Sequence, residues 1–185
     1  MIFVRHSESS VRPDRTAHEW GLSRAGRRLA AELATRLAPL EPDRVYTSCE
    51  PKAVETGAVI AAALDLEVHQ LKKLGEHDRT NVRFLTTKGF ELSVKHCLAH
   101  PDKHVFGGET ADEALERFSS GVDLVLETEE CARPLVVTHG TVMSLYLARL
   151  AGVDPWEIWQ SLSMPSYVDL DEIIPGEYPR VHGLA

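Results

Sequence analysis

Two histidines in this chain stand in the same local setting. His6 follows Ile2, Phe3, Val4 and Arg5, where a short β-branched and aromatic run reads as a buried strand that surfaces at Arg5. His139 follows Leu135, Val136 and Val137, a second continuous apolar strand, and Gly140 and Thr141 then lead into the helical stretch MSLYLARLAG. An imidazole at a strand end is a candidate nucleophile, and a neighbouring arginine is a candidate anion clamp. Open α/β sheets place their ligands at that edge. Gly140 lets the backbone approach a ligand closely, and the free N–H groups that follow it face whatever lies there. In a parallel sheet both strand ends can lie on one edge, so His6 and His139 can meet despite their separation.

A third element lies between them in YTSCEPKAVETGAVIA. It reads as a strand over Val45 to Ser48, a tight turn, and a helix whose first turn presents Lys52. A cation at a helix start opposes the macrodipole, and the placement makes more sense if Lys52 and the helix N-terminus face one anion. An exposed lysine on a solvated helix is the plain alternative.

These groups need elements to position them. SRAGRRLAAELATRL carries Leu29, Leu33 and Leu37 at helical spacing, and Pro39 and Pro42 end it. Arg44 to Ser48 reads as a strand, Val54 to Leu66 as a helix with Ile60 and Leu64 on one side, and Glu67 to Gln70 as a further strand. Thr110 and Glu113 have capping-box spacing, so a long helix to about Glu130 should follow. A short helix near Asp154 to Trp159 and a strand near Tyr167 to Leu170 close the chain. The alternation predicts an α/β layered fold on a mostly parallel sheet, organised as one domain over residues 1–185. Lys72 to Gly108 is the least regular stretch and reads as an excursion that covers the strand ends.

Composition narrows the function. The 185 residues are 43% hydrophobic and 26% charged, which suits one folded core rather than disorder. A formal net charge of −8 argues against general affinity for nucleic acid or anionic membrane. The three cysteines, Cys49, Cys97 and Cys131, form no CxxC pair, so free thiols in a reducing compartment fit best. No basic segment precedes a long apolar stretch, and a cytoplasmic protein is expected.

VRHSE at Val4 to Glu8, SCEPKAVETG at Ser48 to Gly57, LGEHDR at Leu74 to Arg79 and VVTHGTV at Val136 to Val142 resemble the histidine phosphatase superfamily. This is the branch that includes cofactor-dependent phosphoglycerate mutases and many small phosphatases. GLSRAGRRLAAELATRL and GGETADEALERF resemble the family's first and later helix entries, so the likeness runs through essentially the whole chain. It implies a phosphoglycerate mutase-like three-layer sandwich, with helices on both faces of a mostly parallel sheet. It also implies that His6 attacks phosphorus and forms a phosphohistidine, its other ring nitrogen donating to a backbone carbonyl. Arg5, Lys52 and His139 would surround the phosphoryl oxygens, and Glu76 would serve the leaving oxygen and then the attacking water. Ser7, Gly140 and Thr141 would complete the phosphate site. No metal or other cofactor is expected, and the expected partner is a small anionic phosphorylated substrate.

The chain departs from the family pattern in three places. Ser7 stands where glycine is usual, and Lys52 where arginine is usual, which keeps charge but loses a two-pronged clamp. An asparagine often found after the first motif is missing, and Ser10 or Arg12 could substitute. His77 and Asp78 are alternatives to Glu76 as proton donor. The family's mutases generally carry extra segments, so hydrolysis is preferred to phosphoryl transfer between two positions of one substrate. A phosphate-binding module without catalysis is the remaining reading.

Between Lys72 and His104, seven lysines and arginines face four acidic residues, which suggests a basic cover that attracts anions. His96, His100 and His104 have metal-ligand spacing, but Pro101 interrupts their helix and no complete ligand set accompanies them. Trp156 and Trp159 read as core packing rather than a substrate platform.

Overall fold

The structure is a computed structural model that describes residues 1–128 and 131–184. Its centre is a six-stranded sheet formed by β1 (Ile2–Arg5), β2 (Arg44–Thr47), β3 (Val68–Gln70), β4 (Pro134–Thr138), β5 (Ser166–Asp169) and β6 (His182–Gly183). The spatial order is β3-β2-β4-β1-β5-β6. β1 runs parallel to β4, as do β2 to β4 and β3 to β2, while β5 and β6 are antiparallel. The mostly parallel sheet expected from the alternation is therefore present, with an antiparallel edge.

Both faces are covered, and the pleat of β1 shows how. Ile2 and Val4 point to one core with Val45, Leu135 and Val137, against α1 (Arg24–Leu37) and α2 (Pro51–Leu64). Phe3, between them, points to the other with Val136, against α4 (Ala111–Leu126) and α5 (Gly140–Ala151). There the Phe3 ring meets Phe118 at 5.7 Å and Tyr146 at 5.4 Å between centroids. α5 is buried on nearly all sides.

Local signals set the element ends. Ser23 caps α1 by accepting from the Gly26 N–H, and Thr110 and Glu113 form the reciprocal box at the start of α4. Asp154 caps α6 (Pro155–Ser161). α1 ends in a 3-10 turn closed by Glu41 in the left-handed region, with Pro39 inside that turn. α2 starts at Pro51, three residues before the expected start, because proline suits a first helical position. The helix expected to run to about Glu130 ends at Leu126, where Glu127 caps it; Glu130 itself lies outside the described residues. The excursion holds a 3-10 turn, an irregular segment over 75–86, and α3 (Thr87–Ala99).

Among the described residues no helix is long and apolar enough to cross a membrane.

Candidate active site

The two histidines meet because their strands are neighbours. β1 and β4 pair in parallel with Arg5 opposite Thr138, and the His6 N–H donates to the Thr138 carbonyl at 2.9 Å. The next residue on each strand therefore leaves the same edge. The His6 and His139 rings lie 5.1 Å apart between centroids.

Hydrogen bonds fix the His6 ring. Its Nδ1 lies 2.8 Å from the Ser7 carbonyl oxygen, which can only accept, so Nδ1 carries the hydrogen. The neutral ring then presents Nε2 with a free lone pair. Burial, then His139 and Lys52, push its pKa well below the ordinary imidazole value, so the ring is neutral at pH 7. Ser7 supports this arrangement without entering the pocket. Its N–H donates to Thr56 Oγ1 at 3.0 Å, and its hydroxyl donates to the Gly26 carbonyl at 2.7 Å. The hydroxyl expected to reach phosphate is therefore turned toward α1, where Gly26 leaves no room for a side chain. A Cβ there would meet the Glu8 carbonyl oxygen at 2.0 Å.

His139 is fully buried. Its Nε2 lies 2.7 Å from Ser48 Oγ and 3.3 Å from Glu50 Oε1, whereas its Nδ1 has no protein partner. Burial lowers its pKa to about 4, against the pull of Glu50.

Glu50 is the residue that the sequence reading missed. It is 3% exposed, and its carboxylate takes Lys52 Nζ at 2.6 Å, the Glu76 N–H at 2.8 Å and the His139 ring. Burial opposes ionisation, but His139, His18 and Lys52 more than offset it, and the carboxyl is held far below its usual range. The anion that Lys52 was expected to face is thus in part internal. Lys52 Nζ also donates to the Ala17 carbonyl at 2.6 Å, which aims the ammonium across the pocket floor.

Glu76 occupies the start of α5. Its carboxylate accepts from the Thr141 N–H at 3.1 Å, the Val142 N–H at 3.2 Å and the His77 N–H at 2.9 Å. Arg79 reaches the same carboxylate at 3.0 Å. The free amides expected behind His139 are therefore engaged by Glu76. Burial would raise this carboxyl, but Arg79, His139 and the Thr141 N–H hold it at about 2. The alternatives stand elsewhere. His77 donates from Nε2 to the Glu109 carbonyl at 2.7 Å and packs on Phe106, and Asp78 accepts from Thr80.

Arg5, His6, Lys52, Glu76, Arg79 and Gly140 together line a cavity of about 380 Å³. A Cβ on Gly140 would sit 3.2 Å from the Arg5 guanidinium, so this glycine also makes room for the arginine. Arg5 donates to the Leu162 carbonyl, and its buried Nε has no protein partner. Thr141 Oγ1 and Ser9 Oγ are buried and unpartnered too, and Ser9 lines the cavity.

Ser10 and Arg12 are not brought to the site. Ser10 is exposed, and Arg12 pairs with Asp14 at 3.1 Å on the surface. The turn places Ser9 and Arg15 at the cavity instead. Arg79 was counted in the sequence only as cover charge, although its position three residues after Glu76 was the available signal. Of the seven basic residues in that cover, Arg79 and Arg83 line the cavity. Trp159, read as packing, lines it as well, beneath Arg5 at 5.9 Å. The His96 and His100 rings meet at a tilt, 4.3 Å apart between centroids, and His104 faces Glu113.

The histidine phosphatase superfamily (branch 1) profile matches residues 1–172. The chain belongs to this superfamily. A protein named probable phosphoglycerate mutase GpmB, from Escherichia fergusonii, is 25% identical over 165 residues, covering 84% of this chain and 76% of the relative. The alpha-ribazole phosphatase from Shigella flexneri matches with a TM-score of 0.71 over 99% of this chain and 96% of that one, at 21% identity. A mycobacterial glucosyl-3-phosphoglycerate phosphatase matches at 0.69 over 91% and 87%, at 19% identity. The two structural likenesses concern the fold: a mostly parallel six-stranded sheet between helices, as in phosphoglycerate mutase-like proteins. Within this member of the superfamily, lysine at position 52 and its bond to Glu50 help set the pocket floor.

Proposed function

We propose that this chain hydrolyses a phosphomonoester through a phosphohistidine on His6, without a metal ion. The observation that carries the reading is the Nδ1–H bond from His6 to the Ser7 carbonyl, which leaves Nε2 as the free nucleophile on a cationic floor. Arg5, Lys52 and Arg79 carry the positive charge there, which is what phosphoryl transfer chiefly requires. His139 Nδ1 and Arg5 Nε are buried polar atoms without protein partners; a bound phosphate dianion draws a proton onto the His139 ring, so that Nδ1–H and the Arg5 Nε–H donate to its oxygens.

In the first step Nε2 bonds to phosphorus, the ester P–O bond breaks, and the leaving oxygen takes a proton from Glu76. A bound phosphate dianion places like charge beside Glu76 and competes for Arg79, and both effects raise this carboxyl from about 2 so that it takes up a proton. In the second step Glu76 accepts a proton from water, the water oxygen bonds to phosphorus, and the P–N bond breaks. His6 and inorganic phosphate result.

Phosphate release from an ester panel tests this proposal. Wild type should release phosphate, and His6→Asn should lose about 10⁴-fold or more in kcat, the scale for loss of a nucleophile. The mutase name of the relatives motivates a second reading, in which a phosphoglycerate is isomerised without net phosphate release. Binding of esters with no turnover by either route would leave a phosphate-binding module. The unpaired Cys49, Cys97 and Cys131 support a reducing, cytoplasmic setting.

A further inference from the structure

The cavity is far larger than a phosphoryl group needs, and its two ends differ in chemistry. Beyond the cationic floor, Phe90, Phe106 and Trp159 form one wall, with Phe90 6.0 Å from Trp159 and 6.5 Å from Phe106 between ring centroids. At the mouth, Trp20 and Phe84 lie 6.4 Å apart, and Val11 and Met164 complete the rim. Phe84 is 50% exposed, Val11 54% and Met164 43%, so large apolar side chains stay open to water around one opening. Monomeric surfaces seldom keep such a cluster without a ligand for it.

Two of the polar side chains on this outer part are engaged by the protein. Glu8 accepts from the Ser23 hydroxyl, and the Thr16 hydroxyl donates to Glu19 at 3.0 Å. With Val82 and Leu85 added to the aromatic residues, Val11 and Met164, most of this wall is carbon, and a polyol laid against it would lose hydration.

We infer that the substrate's alcohol portion is bulky, apolar and ring-containing, held between Trp20 and Phe84 at the mouth and Phe90, Phe106 and Trp159 within. This assignment rests on the phosphatase reading for its chemistry, but the wall itself can be tested by binding. Aromatic faces and edges accept a ring in offset or tilted packing, and Arg15 and Arg83 at the rim leave the opening attractive to the phosphate that enters first.

The test compares 2-naphthylmethyl phosphate with glycerol 3-phosphate and 3-phosphoglycerate. All three release an alkoxide, so the ease of departure does not set the order. The expected kcat/KM favours the naphthylmethyl ester by about 100-fold, the scale on which apolar pockets discriminate. Phe84→Ser, at an exposed position, should reduce that ratio by about tenfold. Equal or reversed ratios overturn the assignment and leave the phosphatase standing. If no ester is turned over, the phosphatase reading fails, and calorimetry with 2-naphthylmethylphosphonate and 2,3-dihydroxypropylphosphonate decides. Tighter binding of the naphthyl compound, by about tenfold or more, keeps the apolar assignment, and equal affinities remove it.

Discussion

At the floor of the cavity, Arg5 and His6 ride on the end of β1, and His139 lies behind them at the end of β4, their spacing set by four parallel register pairs. In the cover, Val82, Phe84 and Leu85 sit in the irregular segment over 75–86, held by side-chain contacts such as Trp20 on Phe84. The floor is buried and charged, with Lys52 paired to Glu50, Arg79 to Glu76, and Arg5 bonded to a backbone carbonyl instead of a carboxylate. The mouth of the cover is exposed and apolar. The difference separates two tasks. Backbone register fixes the reacting atoms to a fraction of an ångström, while a less ordered rim can shape itself to one class of alcohol.

If that division holds, substitutions in the floor are costly and those in the cover are mild. The largest expected effect is on catalysis. Glu76→Gln keeps one oxygen for the Val142 and His77 N–H groups but loses the acceptor for Thr141 and Arg79 and the proton carrier, and kcat should fall about 10³-fold. A loss under tenfold would move the proton to another group. Next comes stability. Glu50→Leu leaves the Lys52 ammonium and the Glu76 N–H without their buried acceptor, and urea unfolding should read a loss of about 3–5 kcal/mol.

The pH dependence of stability follows from the same buried groups. An unfolded histidine titrates near 6.5, whereas folded His139 is held at about 4 and His6 is also depressed. Between these values the unfolded chain binds protons that the folded chain refuses, so stability falls as pH drops from about 6.5 toward 4. Below the ordinary carboxylate range, Glu50 and Glu76 add a further loss, because both are held low in the fold. The decline from pH 7 to pH 5 should exceed about 1 kcal/mol, and His139→Gln should flatten it. A flat wild-type profile would contradict the neutral, buried imidazoles. Smaller again, Phe84→Ser loses the Trp20 contact and should cost about 1 kcal/mol of stability, and Arg12→Ala should alter kcat/KM less than about twofold.

The same division governs what the sequence reveals. Strands that end in histidine were readable because apolar run, turn and helix lie within a dozen residues, and caps such as Ser23 and Thr110 are read from neighbours in the chain. The parallel pairing that joins His6 to His139 followed from the alternation of elements. Glu50 was not readable, since its meaning comes from His139, brought close when β2 pairs with β4 and Thr47 comes opposite Val137. β6 spans two residues at a sheet edge, too short for a pattern. Ser9 was displaced in favour of Ser10 because a one-residue choice in a turn depends on its bridge to Leu22. Trp159 has the composition of a core residue and serves as one, packing with Trp156 at 5.2 Å while presenting another face to the cavity.

Rapid mixing with a ³²P-labelled ester, followed by an alkaline quench and peptide mapping, interrogates the reacting nitrogen directly. Label on the peptide containing His6, stable to base and lost in acid, and absent from His6→Asn, is the predicted result. Phosphate release at an undiminished rate with no label on the wild-type protein would contradict it.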